Sequence, residues 1–270
     1  MKPKTHLFLY HLLWTADQLV RPTLRNLNGS FEAWAYRGGL SRQLAELERQ
    51  QFVERSKSTG PNARIFRLTE QGRLVALGGR DPVARWSRPW DGRWRIIVFD
   101  VPMTQNKERQ RLRRYLRSRS FGFVQGSVWI TPDPLEQEVG LLRSSRVHVG
   151  SLLCLEANTC AGESDEELVA AAWDFERINA GYRRYMDAIE TRAKGKGHSA
   201  ALRDLAELEW STWRDAVSLD PLLPRPLLPR NYLGEKAWNR RAKVFREMKR
   251  MLSSMRNFDT GGPKFCKAAE

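Results

Sequence analysis

Apolar residues recur at helical spacing from the start of the chain. Leu7, Tyr10, His11, Trp14 and Leu19 fall near one face, which predicts a helix over 4–20. "RPTLRNL" reads as a short second helix, since Pro22 in its first turn removes no needed hydrogen bond. "NGS" at 28–30 is a break. Leu40, Leu44 and Leu47 then stand at i, i+4 and i+7, predicting a third helix with Arg37, Arg42, Gln43 and Arg49 turned largely away from its apolar face. "FVERS" and "IFRLT" read as strands around the turn "KSTGPNAR", built on Gly60-Pro61, and "EQGRLVAL" returns to helix. Three helices and a two-strand hairpin form the pattern of a winged helix-turn-helix, expected over residues 1–80.

The rhythm changes after "RDPVARWSRPWDGR", whose charged, Trp and Pro residues suit a linker over 81–93. "WRIIVFD" reads as a strand. "TQNKERQRLRRYLRSRS" reads as a helix with Leu112, Tyr115 and Leu116 inward. A strand or hairpin, "GFVQGSVWITP", a short helix, "DPLEQEVGLLRSS", and a strand, "VHVGSLLCLEA", follow. The order βαββαβ predicts a ferredoxin-like domain over 94–160, one sheet with two helices on one face. Residues 161–270 read as mostly helical. Ser164 and Glu167 have capping-box spacing. An apolar stripe runs Leu168, Ala172, Phe175, Ile178, Tyr182, Met186, Ile189, and further helices are expected near 200–217 and 235–253 around the Pro-rich "LDPLLPRPLLPRN". The predicted class is α+β: an N-terminal winged helix, a central ferredoxin-like domain and a C-terminal helical domain.

Charge sharpens the picture. The 270 residues carry a formal net charge of +15, and residues 1–90 hold 15 Lys and Arg against 7 Asp and Glu, so the first third is the most basic part. A basic chain favours a polyanionic partner, nucleic acid first; a merely basic solvated surface is the alternative. No run of 18 apolar residues occurs, so no membrane span is read. The opening residues lack a small-residue cleavage site, so no secretory signal is expected. Cys154, Cys160 and Cys266 show no tight pairing, which points to reduced thiols and a cytoplasmic location. The four His have no zinc spacing.

The candidate chemistry follows from these patterns. Arg37, Ser41, Arg42 and Gln43 lie near the start of the third helix, where base edges come within reach; Arg and Gln offer bidentate contacts to G and A. Lys57 and Arg64 on the hairpin suit phosphates. Asp100 ends the strand "WRIIVFD". It is expected to finish the strand and accept N–H groups at the start of the next helix. The alternative is a metal ligand for phosphodiester cleavage. Arg109, Arg113 and Arg117 form an i, i+4, i+8 row, either a solvated face or a phosphate track. Trp86, Trp90, Trp94 and Trp129 are expected in cores.

Three segments resemble the PaaX family, the repressors of phenylacetic acid degradation: "GLSRQLAELERQQFVER…RIFRLTEQG", "WDGRWRIIVFDVP…RLRRYLRSRSFGFVQGSVWITP" and "DPLLPRPLLPRNYLGEKAW". The resemblance implies a homodimer that represses transcription from double-stranded operator DNA and lets go when an acyl-CoA effector, phenylacetyl-CoA, binds. It implies no catalytic residues and no cofactor. Two positions depart from the family pattern: Gln51 stands where a Gly is usual, and Tyr232-Leu233 precede Gly234 where Trp-Pro is common. The central segment is also similar to the small CRISPR-adaptation nuclease, in which an Asp at the place of Asp100 binds metal at a dimer axis. A metal-dependent nuclease is therefore the competing expectation.

Overall fold

The computed structural model describes residues 40–56, 65–76, 79–135, 151–158, 162–193 and 199–259. The helices expected over 4–20 and 21–27, the hairpin turn at 57–64 and the short helix after Leu135 lie outside them. In chain order the elements are α1 (Leu40–Arg49), β1 (Val53–Ser56), β2 (Ile65–Leu68), α2 (Glu70–Ala76), α3 (Pro82–Ser87), β3 (Trp94–Asp100), α4 (Asn106–Ser118), β4 (Gly122–Gln125), β5 (Val128–Thr131), β6 (Ser151–Ala157), α5 (Asp165–Ala172), α6 (Phe175–Ala193), α7 (Ser199–Ser218) and α8 (Gly234–Asp259). They form two compact units: residues 1–80, 182–218 and 234–270 make one, and residues 81–181 and 219–233 the other.

In the first unit, α1 turns sharply into β1. The Gln51 N–H donates to the Glu48 carbonyl (3.0 Å) and the Phe52 N–H to that of Leu47 (2.9 Å). This is a Schellman closure, and it places Gln51 at φ 58, a left-handed conformation that favours glycine. β1 and β2 pair antiparallel, from Val53 opposite Leu68 to Ser56 opposite Ile65. Thr69 then fastens α2 to the same corner. Its hydroxyl donates to the Gln51 carbonyl (2.6 Å) and accepts from the Gly72 N–H (2.9 Å), capping the helix. A Cβ at Gly72 would stand 1.9 Å from the Phe52 carbonyl oxygen, so only glycine fits there.

The other described elements of this unit are helices. Tyr182, Tyr185, Ile189, Ala206, Trp213, Val244 and Met248 of α6, α7 and α8 are buried together with one ion pair. The Arg241 Nε donates to Glu209 (2.7 Å), which also accepts from the Tyr185 hydroxyl (3.0 Å). Burial pushes the Tyr185 hydroxyl well above its ordinary pKa, and the Glu209 charge adds to it. The Arg241 guanidinium lies over Trp213 at 4.5 Å and Phe245 at 4.9 Å, so ring faces take the place of water around part of its charge.

In the second unit the strands lie in the order β4-β5-β3-β6, each antiparallel to its neighbour. Counted within the sheet this is second, third, first, fourth, the order that a βαββαβ chain gives when both helices cross one face. Ile97, Phe99 and Trp129 from the sheet meet Leu112 and Leu116 of α4, with Phe121 and Leu135, in one core. The alternation along β3 explains this: Ile97 and Phe99 point to the helix, Ile96 and Val98 to the other face. α4 ends as α1 does. Ser120 sits at φ 66, and the Ser120 and Phe121 N–H groups return to Arg117 and Leu116 at 3.0 Å each.

Two expectations need correction. The stretch taken as a linker holds α3, because Pro82 occupies its first turn and Asp81 caps it, accepting from Val83 (3.0 Å) and Ala84 (3.2 Å). The stripe read as continuous from Leu168 is broken at Trp173, which turns extended; its ring lies against Gly122, and its N–H donates to the Ser120 carbonyl (3.2 Å). Asp174 then caps α6 through the Arg177 N–H (2.9 Å). The Ser164–Glu167 capping box is present, and Trp86, Trp94 and Trp129 are buried.

Gln51→Gly and Ser120→Gly should each stabilise the protein by about 0.5–1 kcal/mol, since relief of left-handed strain exceeds glycine's extra chain entropy. Valine at either position should destabilise it. Denaturation midpoints check both directions.

Candidate nucleic-acid interface

Of the six residues chosen for DNA contact, Ser41, Arg42 and Gln43 stand in the first turn of α1. The N-terminal end of a helix carries outward N–H groups and a partial positive charge, both favourable beside phosphate. Arg37, Lys57 and Arg64 lie outside the described residues.

Asp100 is the last residue of β3, exposed, and opposite Ser151 in the β3–β6 register. It does not cap the next helix. Val101 and Pro102 intervene, Val101 is buried in the core, and the 3-10 turn at Met103 closes through the Gln105 N–H on the Pro102 carbonyl (2.9 Å). Those two residues carry the carboxylate past the helix N–H groups. Among the described residues no three His, Cys, Asp or Glu side chains converge as a metal site.

The arginine row of α4 is tied to its own unit. Arg109 donates to the Val101 carbonyl (2.9 Å), Arg113 to that of Gly126 (3.2 Å), and Arg117 lies 5.6 Å from the Trp129 ring centre. Arg109 and Arg113 are thus half-buried and engaged, while Arg117 remains exposed beside its ring.

The Pro-rich stretch 219–233 is woven into the second unit. Asp220 is buried; it accepts from the Leu222 N–H (2.7 Å) and from the Tyr232 hydroxyl. Tyr232 also accepts from the Trp86 indole (3.0 Å) and meets the edge of Phe175. Asn179 brackets the end of the stretch, accepting from the Leu233 N–H (2.9 Å) and donating to the Asn231 carbonyl (3.2 Å). Arg88 donates to the Leu222 carbonyl and to Asp133 (2.6 Å), and Arg85 reaches the same carboxylate (2.7 Å). Burial alone would raise the Asp133 carboxyl; the Arg88 hydrogen bond and the charges of Arg85 and Arg88 outweigh it and hold it below the usual carboxylate range. Burial lowers the Arg88 guanidinium against the pull of Asp133, yet arginine stays charged through the working pH range.

Two family models match, the PaaX protein central Cas2-like domain over residues 87–169 and the PaaX-like protein C-terminal domain over 173–257, together more than half of the chain. The chain belongs to the PaaX family. Membership points to a transcriptional regulator, and the four-stranded antiparallel sheet is the Cas2-like part of this PaaX protein. Among solved structures, the uncharacterized protein Rv0674 from Mycobacterium tuberculosis is similar over 90% of this chain and 94% of its own, at 20% identity and a TM-score of 0.54, a likeness of fold. No curated protein matches. Among the described residues no helix is long and apolar enough to cross a membrane.

A carboxyl held low in the folded state contributes stability above its unfolded pKa, near 3.9 for Asp, and loses it as pH falls through the folded value. Asp133→Asn should therefore cost about 2 kcal/mol at pH 7. The gap to wild type should close below about pH 4, as equilibrium unfolding across pH would show.

Proposed function

We propose that this PaaX-family chain is a DNA-binding transcriptional repressor without enzymatic activity, acting in the cytoplasm as a homodimer. The observation that carries the reading is a helix, α1, running directly into an antiparallel β1–β2 hairpin inside the most basic third of a regulator-family chain. That sequence of elements suits a recognition helix and wing, with residues 1–80 as the DNA-binding module. Arg37, Ser41, Arg42 and Gln43 read base edges, and Lys57 and Arg64 hold the wing to phosphate. The open side of the sheet supports pairing with a second copy. Leu153 and Leu155 of β6 are 53% and 48% exposed, unusual for adjacent leucines on one strand face.

An effector changes DNA affinity only if it favours one arrangement of the two DNA-reading modules over another. A small acyl-CoA, phenylacetyl-CoA by the family resemblance, fills that role.

Selection from random duplexes should recover an inverted repeat with half-sites about one helical turn, or a multiple of it, apart. Arg42→Ala should lose discrimination at one or two base positions, worth about 1–3 kcal/mol, while Lys57→Ala should weaken all sequences alike. Equal, sequence-blind weakening by both variants contradicts the assignment of α1.

Asp100 has no catalytic part in this reading. Purified protein with Mg²⁺ or Mn²⁺ should leave single- and double-stranded DNA and RNA intact, and Asp100→Asn should keep wild-type affinity for the selected duplex. Metal-dependent cleavage abolished by Asp100→Asn would establish the nuclease instead.

A further inference from the structure

Arg109 and Arg113 are turned to backbone carbonyls of their own unit and Arg117 lies by the Trp129 ring, and a different row of cations stands outward on α4. Lys107, Arg111 and Arg114 stand at i, i+4 and i+7, opposite the buried Leu112 and Leu116, and all three are exposed. Among the described residues none of the three makes an ion pair; Arg114 reaches only the Gln110 carbonyl of its own helix, at 3.4 Å. α4 has one carboxylate, Glu108, and it is half-buried off this row.

An ordinary solvated helix face interleaves signs, because like charges at i, i+3 and i+4 each cost about 0.2–0.5 kcal/mol. Here both spacings pair like with like. Lys107 also stands in the first turn, where the helix dipole disfavours a cation. The local physics opposes this arrangement on three counts, and the bound state of a polyanion would reverse all three.

The shape of the row selects the anion. Lys107 to Arg114 spans about 10 Å along the helix axis. The cations stand in line and do not converge on one point, as the donors of a small phosphate pocket must. A linear, regularly charged partner matches, and duplex DNA carries about one charge per 1.7 Å of its axis.

We propose that the outer face of α4 binds the phosphate backbone of duplex DNA, a second contact surface carried by the Cas2-like domain and separate from the base-reading helix. This extends the repressor reading, on which it rests for the identity of the polyanion. The contact is electrostatic and indifferent to sequence.

The test uses the full chain with all three residues replaced, Lys107→Gln, Arg111→Gln and Arg114→Gln, a change confined to exposed positions and good helix formers. Circular dichroism confirms the fold. Affinity is read by fluorescence anisotropy on the selected duplex and on a random duplex, across salt. The expected result is a slope of log K against log salt shallower by about 2–3, affinity lower by about tenfold or more on both duplexes, and an unchanged ratio between them. Arg111→Glu alone should move the same way. Wild-type slope and affinity in the triple variant overturn the inference while leaving the repressor reading intact. A wild type with no preference for any sequence, whose random-duplex binding still depends on the three cations, overturns the repressor reading and keeps the inference. A wild type that binds no duplex overturns both. A variant that keeps duplex binding but loses binding to phosphatidylserine vesicles assigns the row to a membrane surface and overturns the inference as well.

Discussion

A carboxylate drawn out of water must find donors; Asp220 finds them within its own stretch, and Asp133 on a segment far earlier in the chain. Asp220 takes the Leu222 N–H and the Tyr232 phenol; Asp133 takes Arg85 and Arg88. Through Trp86 on Tyr232 and Arg88 on the Leu222 carbonyl, the two carboxylates share α3 and the residue after it as common support. The strained backbone of Leu222, at φ 52, persists because both its N–H and its carbonyl are held. A Pro-rich stretch with no strand or α-helix of its own is thereby fixed as part of a folded unit. Leaving any of these buried groups without its partner would cost its desolvation with nothing in return.

That constraint separates what holds the protein together from what it offers to others. The stretch 219–233 carries part of the resemblance to the PaaX family, yet its polar side chains are occupied inward. Arg109 and Arg113 of α4 are likewise engaged with carbonyls. Outward and basic on α4 stands the row Lys107, Arg111 and Arg114. The division of labour is consistent with a regulator whose distinctive motif builds a scaffold and whose cations meet a polyanion.

Much of the fold was legible from periodicity. α1, the β1–β2 hairpin, β3, α4 and the capped start of α5 follow from spacing of apolar residues and from one capping box. Other features obey rules that spacing does not carry. α3 hides in a charged stretch because two residues, Asp81 and Pro82, start it, and a short capped helix needs no apolar stripe. The break at Trp173 interrupts a stripe that fits one long helix, since the need to cover Gly122 is a tertiary demand. Arg85 and Arg88 lie 48 and 45 residues before Asp133, beyond any local pattern. The α4 arginines show the limit most clearly: the spacing of Leu112 and Leu116 marks the inner face, but the carbonyls that hold Arg109 and Arg113 come from other segments, which no helical spacing reveals. Ser41, Arg42 and Gln43 stand on one helical turn and Asp100 ends a strand, while Val101 and Pro102 separate Asp100 from the helix it is expected to cap.

Hydrogen exchange on the wild-type chain, with and without the selected duplex, tests the central claim that scaffold and binding surfaces are distinct. Amides of 219–233 should exchange slowly without DNA, in step with those of β3, and remain unchanged when duplex is added. Amides of 40–56 and 106–118 should slow on addition of duplex. DNA-dependent protection of 219–233 with no change in α1 or α4 would contradict the account.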